Sequence, residues 1–250
     1  LIAYDTALGW RFVNPRMEAL YGTDPMGVTA ENIAEMTGIT RLEQDEFALT
    51  SHQRAVAAQD SGKFGEEILP VSVPQRKGDP VVVSQDERPR RDTSLEALSR
   101  LKPAFKPNGT VTAGNSSGLN DGAAAMLVMS AEKAHALGLK PMARFISSAA
   151  SGIEPRIMGL GPIEATRRAL ARAGLQIGDI SLAEINEAFA VQTLAVMREL
   201  GLPHEITNVN GGAIALGHPL GCSGARILTT LLYEMRRRAP QEKRPFYGLA

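Results

Sequence analysis

The sequence predicts an α/β protein, chiefly from its second half, where strand-like and helix-like segments alternate after Thr110. This alternation is typical of sheets whose strands are joined by helices. The composition agrees, since 44% of the residues are apolar and only 5% are aromatic. A third observation is a glycine-rich loop at residues 208–226 that leads into an amphipathic helical pattern at residues 227–235.

The first 112 residues are predicted to be irregular, with short helical pieces rather than a repeating strand–helix array. Helices are expected at residues 29–38, 40–60 and 93–102. Thr29 is a candidate cap for the first, while Thr40 and Glu43 form a capping box for the second. Glycines and prolines interrupt the chain between residues 62 and 89, so this stretch is expected to form only short segments.

After residue 112 the predicted strands are residues 123–129, 142–148, 180–185 and 246–250, the last of them only just begun. The predicted helices are residues 131–137, 162–173, 187–200 and 227–235. Ser130 is a favoured N-cap for the first of these helices, and Gly174 ends the second. Residues 208–210 are expected to be short and extended.

Charge and cysteine content exclude several classes of protein. Lys plus Arg and Asp plus Glu both number 27 and the pI is near 7.1, so no nucleic-acid partner or anionic membrane is indicated. No apolar run is long enough for a membrane span, and no signal-peptide core is seen. A single cysteine favours a reducing, cytoplasmic compartment. The four histidines lack metal-ligand spacing, so no metal site is expected.

The loop at residues 208–226 is the most informative feature, because it combines five glycines with His218. Glycine permits positive φ and close backbone approach at an entropic cost. Pro219 disfavours helical backbone at His218, so the imidazole is expected on an extended segment before a helix N-terminus. The glycine spacing resembles a phosphate-binding P-loop, but His218 and Pro219 replace the required lysine and hydroxyl residue.

Asn186 begins the segment Asn-Glu-Ala-Phe-Ala, which follows a predicted strand. On its own, this asparagine is most simply a helix N-cap. Asn186 and His218 both lie at strand-to-helix junctions of one α/β unit, however, and such junctions share the edge where these folds place their sites. The pair is therefore a candidate oxyanion-binding site.

Ser116 and Cys222 are two alternative nucleophiles. Residues 114–118 match the G-x-S-x-G pattern of a serine hydrolase, and Ser116, Asp179 and His218 occur in the matching order. The pattern lacks the helix that should follow it, so we predict that Ser116 is not a nucleophile. Cys222 lies four residues after His218, but a small buried residue is the simpler interpretation. The basic cluster at residues 88–91 is a solvated loop by default and could hold phosphates.

Three blocks together resemble the thiolase family: residues 109–124, residues 186–190 and residues 208–226. The resemblance covers essentially the whole chain, and residues 8–15 and 21–26 are most similar to the degradative subgroup that includes 3-oxoadipyl-CoA thiolases. It implies a layered αβαβα fold of two similar halves with a helical loop domain over coenzyme A. Residues 1–112 would form most of the loop domain, residues 113–140 the end of the N-terminal half, and residues 141–250 an incomplete C-terminal half.

The resemblance also implies an activity, namely acyl transfer between a 3-oxoacyl-CoA and coenzyme A, or the reverse condensation. Asn186, through a water, and His218 would form the oxyanion hole, and His218 would help to activate a cysteine. Coenzyme A would be a substrate, with no covalently bound cofactor, and the enzyme would be a homodimer or homotetramer. Matching positions assign the coenzyme A and acyl channel to Met26, Arg90, Phe105, Ala113, Ser117, Leu119, Ala188 and Phe189.

Both cysteines that the family uses would lie outside these 250 residues, and Cys222 matches neither. The chain alone is therefore expected to be inactive, as an internal part of a longer enzyme. A non-catalytic module that binds coenzyme A remains the second alternative to the thiolase, beside the serine hydrolase.

Overall fold

A computed structural model describes residues 9–242 and 244–250. The first eight residues of the predicted loop domain, with part of the segment at residues 8–15, lie outside this range. The α-helices are α1 (Pro15–Tyr21), α2 (Met26–Thr37), α3 (Arg41–Asp60), α4 (Leu95–Ser99), α5 (Ala131–Ala136), α6 (Gly161–Ala173), α7 (Ala190–Leu200), α8 (Ala213–Leu216) and α9 (Leu220–Arg238). The strands are β1 (Val71–Val73), β2 (Val81–Val83), β3 (Ile180–Ala183) and β4 (Tyr247–Leu249).

Helix α3 begins as the sequence predicts. The Thr40 side chain accepts a hydrogen bond from the Glu43 N–H, and the Glu43 carboxylate accepts one from the Thr40 N–H at 2.6 Å. The prediction for α2 is wrong at its start, because that helix begins at Met26 after Pro25, not at Thr29. The Thr29 hydroxyl donates to the Met26 carbonyl within the first turn, so it cannot cap a helix that starts later.

The described residues contain two small sheets. Strands β1 and β2 form an exposed antiparallel pair in which Val71 faces Val83, within a region that was predicted to hold only helices and irregular pieces. Strands β3 and β4 pair in parallel, with Ile180 opposite Tyr247. Since β3 is largely buried and leads directly to Asn186, this second sheet positions one side of the site.

Two predicted strands do not form. Residues 123–129 and 142–148 have no assigned secondary structure, and Leu127 and Phe145 are 86% and 73% exposed. An apolar run becomes a strand only if another strand takes its backbone hydrogen bonds. Among the described residues no strand lies beside either run, so the composition of these segments misled the prediction.

The main core forms where α3 and α7 pack around β3. Its buried residues include Phe47, Ala183, Ala190, Val196 and Ile214. A second cluster joins α2 to α7 through Ile33, Val111 and Val191, and this contact places the early helices over the start of α7.

The ends of three predicted elements near the site differ from the structure. Helix α7 begins at Ala190 instead of residue 187, because the Phe189 backbone is extended and bridges to Ser116. Residues 208–210 form a turn, with φ of +48° at Asn208. Helix α8 lies inside the glycine-rich loop, where no helix was predicted. Helix α9 begins at Leu220, well before residue 227, where the amphipathic pattern starts.

Candidate functional site

Asn186 and His218 lie side by side. The Asn186 Nδ2 and His218 Nε2 atoms are 3.2 Å apart, although 32 positions separate the residues. Asn186 follows β3 on an extended segment, and His218 precedes α9. The asparagine is not the N-cap of α7, because that cap is Phe189. Its side chain is therefore available to the imidazole.

The backbone of His218 is fixed by an earlier segment of the chain. Its N–H donates to Asn120 Oδ1 at 2.9 Å, and the Gly118 carbonyl oxygen is 3.4 Å away. Gly217 has a φ of +96°, and a Cβ there would overlap the Asn120 amide. The glycine before His218 is thus required both by its conformation and by close approach.

The Glu187 side chain connects the segment that carries Asn186 to the glycine-rich loop. Its buried carboxylate accepts hydrogen bonds from Ser51 Oγ at 2.6 Å, Asn208 Nδ2 at 2.8 Å and the Ile214 N–H at 3.1 Å. Burial raises the pKa of Glu187, while these hydrogen bonds favour its ionised form. Asn208 also bonds through its side chain to the N–H and carbonyl of Ile185, so the two loops form one hydrogen-bonded unit.

The second ring nitrogen of His218 has its own partner. His218 Nδ1 is 2.6 Å from Ser223 Oγ, which also lies 3.1 Å from the Pro219 carbonyl oxygen. Burial, followed by the nearby positive charge of Arg226, lowers the pKa of His218. The imidazole is therefore neutral near pH 7 and can accept a proton.

The rival nucleophile Ser116 lacks the contacts it would need. The Ser116 hydroxyl is buried and donates to the Thr112 carbonyl at 2.6 Å. The Asp179 carboxylate accepts from the Gln176 N–H, and both nitrogens of the His218 ring bond to other groups. These residues do not form a Ser–His–Asp arrangement, whose serine must hydrogen-bond to the histidine.

The predicted coenzyme A residues fall into two groups and one outlier. The Phe105 and Phe189 rings meet edge to face at 6.0 Å, and the Phe105 ring lies directly on Gly27, next to Met26. The Ser117 N–H donates to the Ala188 carbonyl at 3.0 Å. The exposed side chains of Met26, Ala113 and Leu119 lie beside these contacts.

Arg90 is the outlier. It is exposed, and its backbone N–H donates to His52 Nδ1 at 3.1 Å. Among the described residues, no hydrogen-bond acceptor is found for its guanidinium group. The Arg88 guanidinium lies directly against Gly118, whose carbonyl oxygen is 3.4 Å from the His218 backbone nitrogen. The structure thus brings Arg88, and not Arg90, to the edge of the His218 loop.

Sequence reasoning missed Asn120, Glu187 and Ser223. Asn120 stands in a run of small and polar residues and carries no signal of its own. Glu187 directly follows Asn186 at the end of a predicted strand, and no feature of the sequence there distinguishes it from a solvent-exposed acidic residue. Ser223 lies five residues after His218 in the first turn of α9, where a hydroxyl can reach back to the preceding loop.

Two further observations concern metals and membranes. Within residues 9–242 and 244–250, no three or more His, Cys, Asp or Glu side chains cluster as metal ligands would. No helix in the same residues is both long and apolar enough to cross a bilayer.

Comparison with known families decides the relationship of this chain. The thiolase N-terminal domain model matches residues 12–132, and the thiolase C-terminal domain model matches residues 139–243. The chain belongs to the thiolase family. The predicted family and α/β fold class are therefore confirmed, and neither alternative function is supported.

Relatives carry two kinds of thiolase name. An acetyl-CoA acetyltransferase of Pseudomonas aeruginosa is 60% identical over 213 residues, covering 85% of this chain and 54% of the relative. A beta-ketoadipyl-CoA thiolase of Acinetobacter baylyi is 54% identical over 235 residues, covering 93% of this chain and 59% of the relative. The chain thus spans little more than half the length of these thiolases.

Solved structures agree with the fold. The crystal structure of the Bacillus anthracis acetyl-CoA acetyltransferase superimposes with a TM-score of 0.85 at 46% identity. The superposition covers 95% of this chain and 62% of that one. Almost the whole chain therefore shares the fold of part of that thiolase.

Proposed function

We propose that the protein carrying this chain is a thiolase that transfers an acyl group between a 3-oxoacyl-CoA and coenzyme A. The products are acetyl-CoA and a shortened acyl-CoA, and the reverse condensation uses the same site. The observation that carries the proposal is the 3.2 Å contact between Asn186 and His218 in a chain of this family. The names of several relatives favour 3-oxoadipyl-CoA among the substrates.

Asn186 and His218 would act where charge develops on the thioester oxygen. The neutral imidazole accepts the proton of an attacking cysteine thiol at Nε2, and the thiolate attacks the substrate carbonyl. The resulting Nε2–H then donates to the oxyanion, and Asn186 adds a second donor through a water. Donors fixed in this way stabilise the transition state more than the ground state.

That cysteine would belong to a part of the enzyme outside residues 1–250. Cys222 is the only cysteine of this sequence, and it is buried in the first turn of α9. A thiolate nucleophile needs access to substrate, so Cys222 does not fill this role.

Coenzyme A would lie along the groups that surround the loop at residues 113–119. Ser117 offers a half-buried hydroxyl, and Leu119 and Ala113 offer exposed apolar surface beside it. Phe105, Phe189 and Met26 would line the pantetheine or acyl channel, with Ala188 at its edge. Arg90 would provide a cation for a phosphate near the entrance.

Two wider properties belong to the same proposal. A homodimer or homotetramer is expected from the family resemblance. A cytoplasmic location is expected from the single cysteine.

The test is a thiolysis assay of the whole protein with acetoacetyl-CoA and 3-oxoadipyl-CoA as substrates. His218→Ala should lower kcat by about 10²–10³, as loss of an oxyanion donor does in other enzymes. His135→Ala is the matched control, because this histidine is exposed on α5. A wild-type protein that bound coenzyme A tightly but cleaved neither substrate would instead favour the binding module.

A further inference from the structure

Ser223 occupies a defined place behind the His218 ring. The residue is 4% exposed, and its Oγ is 2.6 Å from Nδ1, on the opposite side of the ring from Asn186. It is the hydrogen-bond partner of Nδ1, just as Asn186 is the partner of Nε2. The two contacts together determine which ring nitrogen carries the proton.

The donor and acceptor roles follow from the contacts. Asn186 presents Nδ2, which can only donate, so Nε2 must accept and be unprotonated in the neutral ring. The single proton of the neutral ring therefore lies on Nδ1 and is donated to Ser223 Oγ. The Ser223 hydroxyl then donates its own proton to the Pro219 carbonyl oxygen at 3.1 Å.

We propose that Ser223 is a positioning residue that holds neutral His218 as the Nδ1–H tautomer and so keeps the lone pair on Nε2, where the thiol proton can replace the hydrogen bond from Asn186. This inference rests on the proposed thiolase function. The proton transfer is balanced within the site, because the S–H bond breaks as the Nε2–H bond forms. The Nδ1–H···Oγ hydrogen bond persists throughout, and it strengthens when the ring becomes an imidazolium.

The opposite tautomer would be unproductive at this step. An Nε2–H ring would present a donor toward the thiol and its lone pair toward a serine, so the base would face away from the substrate. Removal of the Ser223 hydroxyl would let the ring redistribute between the two tautomers. The consequence is a smaller fraction of competent base rather than a weaker binding site.

The direct test is ¹⁵N NMR of the imidazole in the whole protein, above the pKa of His218. We expect the Nδ1–H tautomer in the wild type, and a clear Nε2–H pattern there would overturn the proposal without any variant. Ser223→Ala should shift the ring toward Nε2–H, and Ser223→Thr, which keeps a hydroxyl, should restore the wild-type pattern.

Kinetics provide the second readout. Ser223→Ala should lower kcat about tenfold, consistent with losing one charge-assisted hydrogen bond, while KM for the acyl-CoA stays unchanged. The acid limb of the rate profile should move to lower pH, because the imidazolium loses the group that stabilises its Nδ1–H. Cys222→Ala is the matched control, since it removes one buried heavy atom at the adjacent position of α9.

The outcomes separate the two proposals. If Ser223→Ala lowers kcat but leaves the tautomer of His218 and the pH profile unchanged, Ser223 has only a structural role. That result would refute its positioning role. A wild-type Nδ1–H ring in a protein that cleaves no 3-oxoacyl-CoA would leave the hydrogen-bond assignment intact and refute the thiolase function.

Discussion

Ser51 and Glu187 are joined by a hydrogen bond of 2.6 Å across 136 positions of the chain. Ser51 lies inside α3 and also accepts from the Gly212 N–H at 3.1 Å. One hydroxyl thus connects the longest helix of the first half to both loops of the site. Because all three groups are buried, bulk water has little access to replace this hydroxyl.

Ser51→Ala should therefore destabilise the protein by about 1–3 kcal/mol, the usual cost of leaving a buried polar partner unsatisfied. Urea unfolding would measure the change. Ser61→Ala is the control, since that hydroxyl is exposed and bonds to a carbonyl of its own helix. Equal unfolding free energies for the two variants would show that the Ser51 contact does not stabilise the loops.

Gly211→Ala should destabilise the protein more than Gly62→Ala. Both glycines have positive φ, +80° and +72°, so both substitutions carry a similar backbone strain of about 1 kcal/mol. A Cβ at Gly211 would also lie 2.6 Å from the Ser51 carbonyl oxygen, whereas nothing lies within 4 Å at Gly62. Thermal or urea unfolding of the pair isolates the steric contribution, and a difference near zero would contradict the close packing.

Glu67 gives a prediction about pH. Burial raises its pKa to about 7, whereas an unfolded glutamic acid titrates near 4.3. Between these values the native protein holds a proton that the unfolded chain releases, so stability falls as pH rises through this window. Glu67→Gln should remove this slope and stabilise the protein at pH 8 by about 1–2 kcal/mol.

Equilibrium unfolding between pH 4.5 and pH 8 would measure the effect, with Glu46→Gln as the control because Glu46 is exposed on α3. A Glu67→Gln curve parallel to that of the wild type would mean that Glu67 titrates normally.

Coenzyme A binding tests the assigned channel. Ser117→Trp should obstruct the pantetheine arm and abolish most binding, because Ser117 lies beside the backbone of Ala188. Arg90→Ala should weaken binding by about 1 kcal/mol or less, as expected for an exposed cation and a phosphate. Calorimetric titration of the whole protein would compare them with Ser99→Trp, an exposed serine in α4. If Ser117→Trp and Arg90→Ala both bound coenzyme A with wild-type affinity, the assignment of the coenzyme A channel would be refuted.

Predictions from the sequence succeeded where the determining contacts are local. The start of α3 was correct because Thr40 and Glu43 are three residues apart and satisfy each other directly. The C-terminal glycines of α2 and α6 were correct for the same reason, since Gly38 and Gly174 adopt the left-handed conformation that ends a helix.

The failures depended on distant partners. Residues 123–129 have the composition of a buried strand, but pairing depends on another segment that a local pattern does not specify. The meeting of Asn186 and His218 agrees with a sequence pattern that puts both near strand-to-helix junctions, although in the structure only Asn186 follows a strand and His218 follows α8. The roles of Asn120 and Ser223 could not be predicted, since they depend on the path of the loop around His218.

The contact between Asn120 and His218 also bears on how such proteins can be recombined. Asn120 falls in the region matched by the N-terminal family model and His218 in the region matched by the C-terminal one. The histidine loop is thus an inter-domain structure, and neither part encodes its shape alone. A hybrid that joined two relatives between residues 132 and 139 would take Asn120 from one parent and His218 from the other. To keep the conformation of the histidine loop, such a hybrid would need an asparagine at position 120, where it contacts Gly217 and accepts from the His218 N–H.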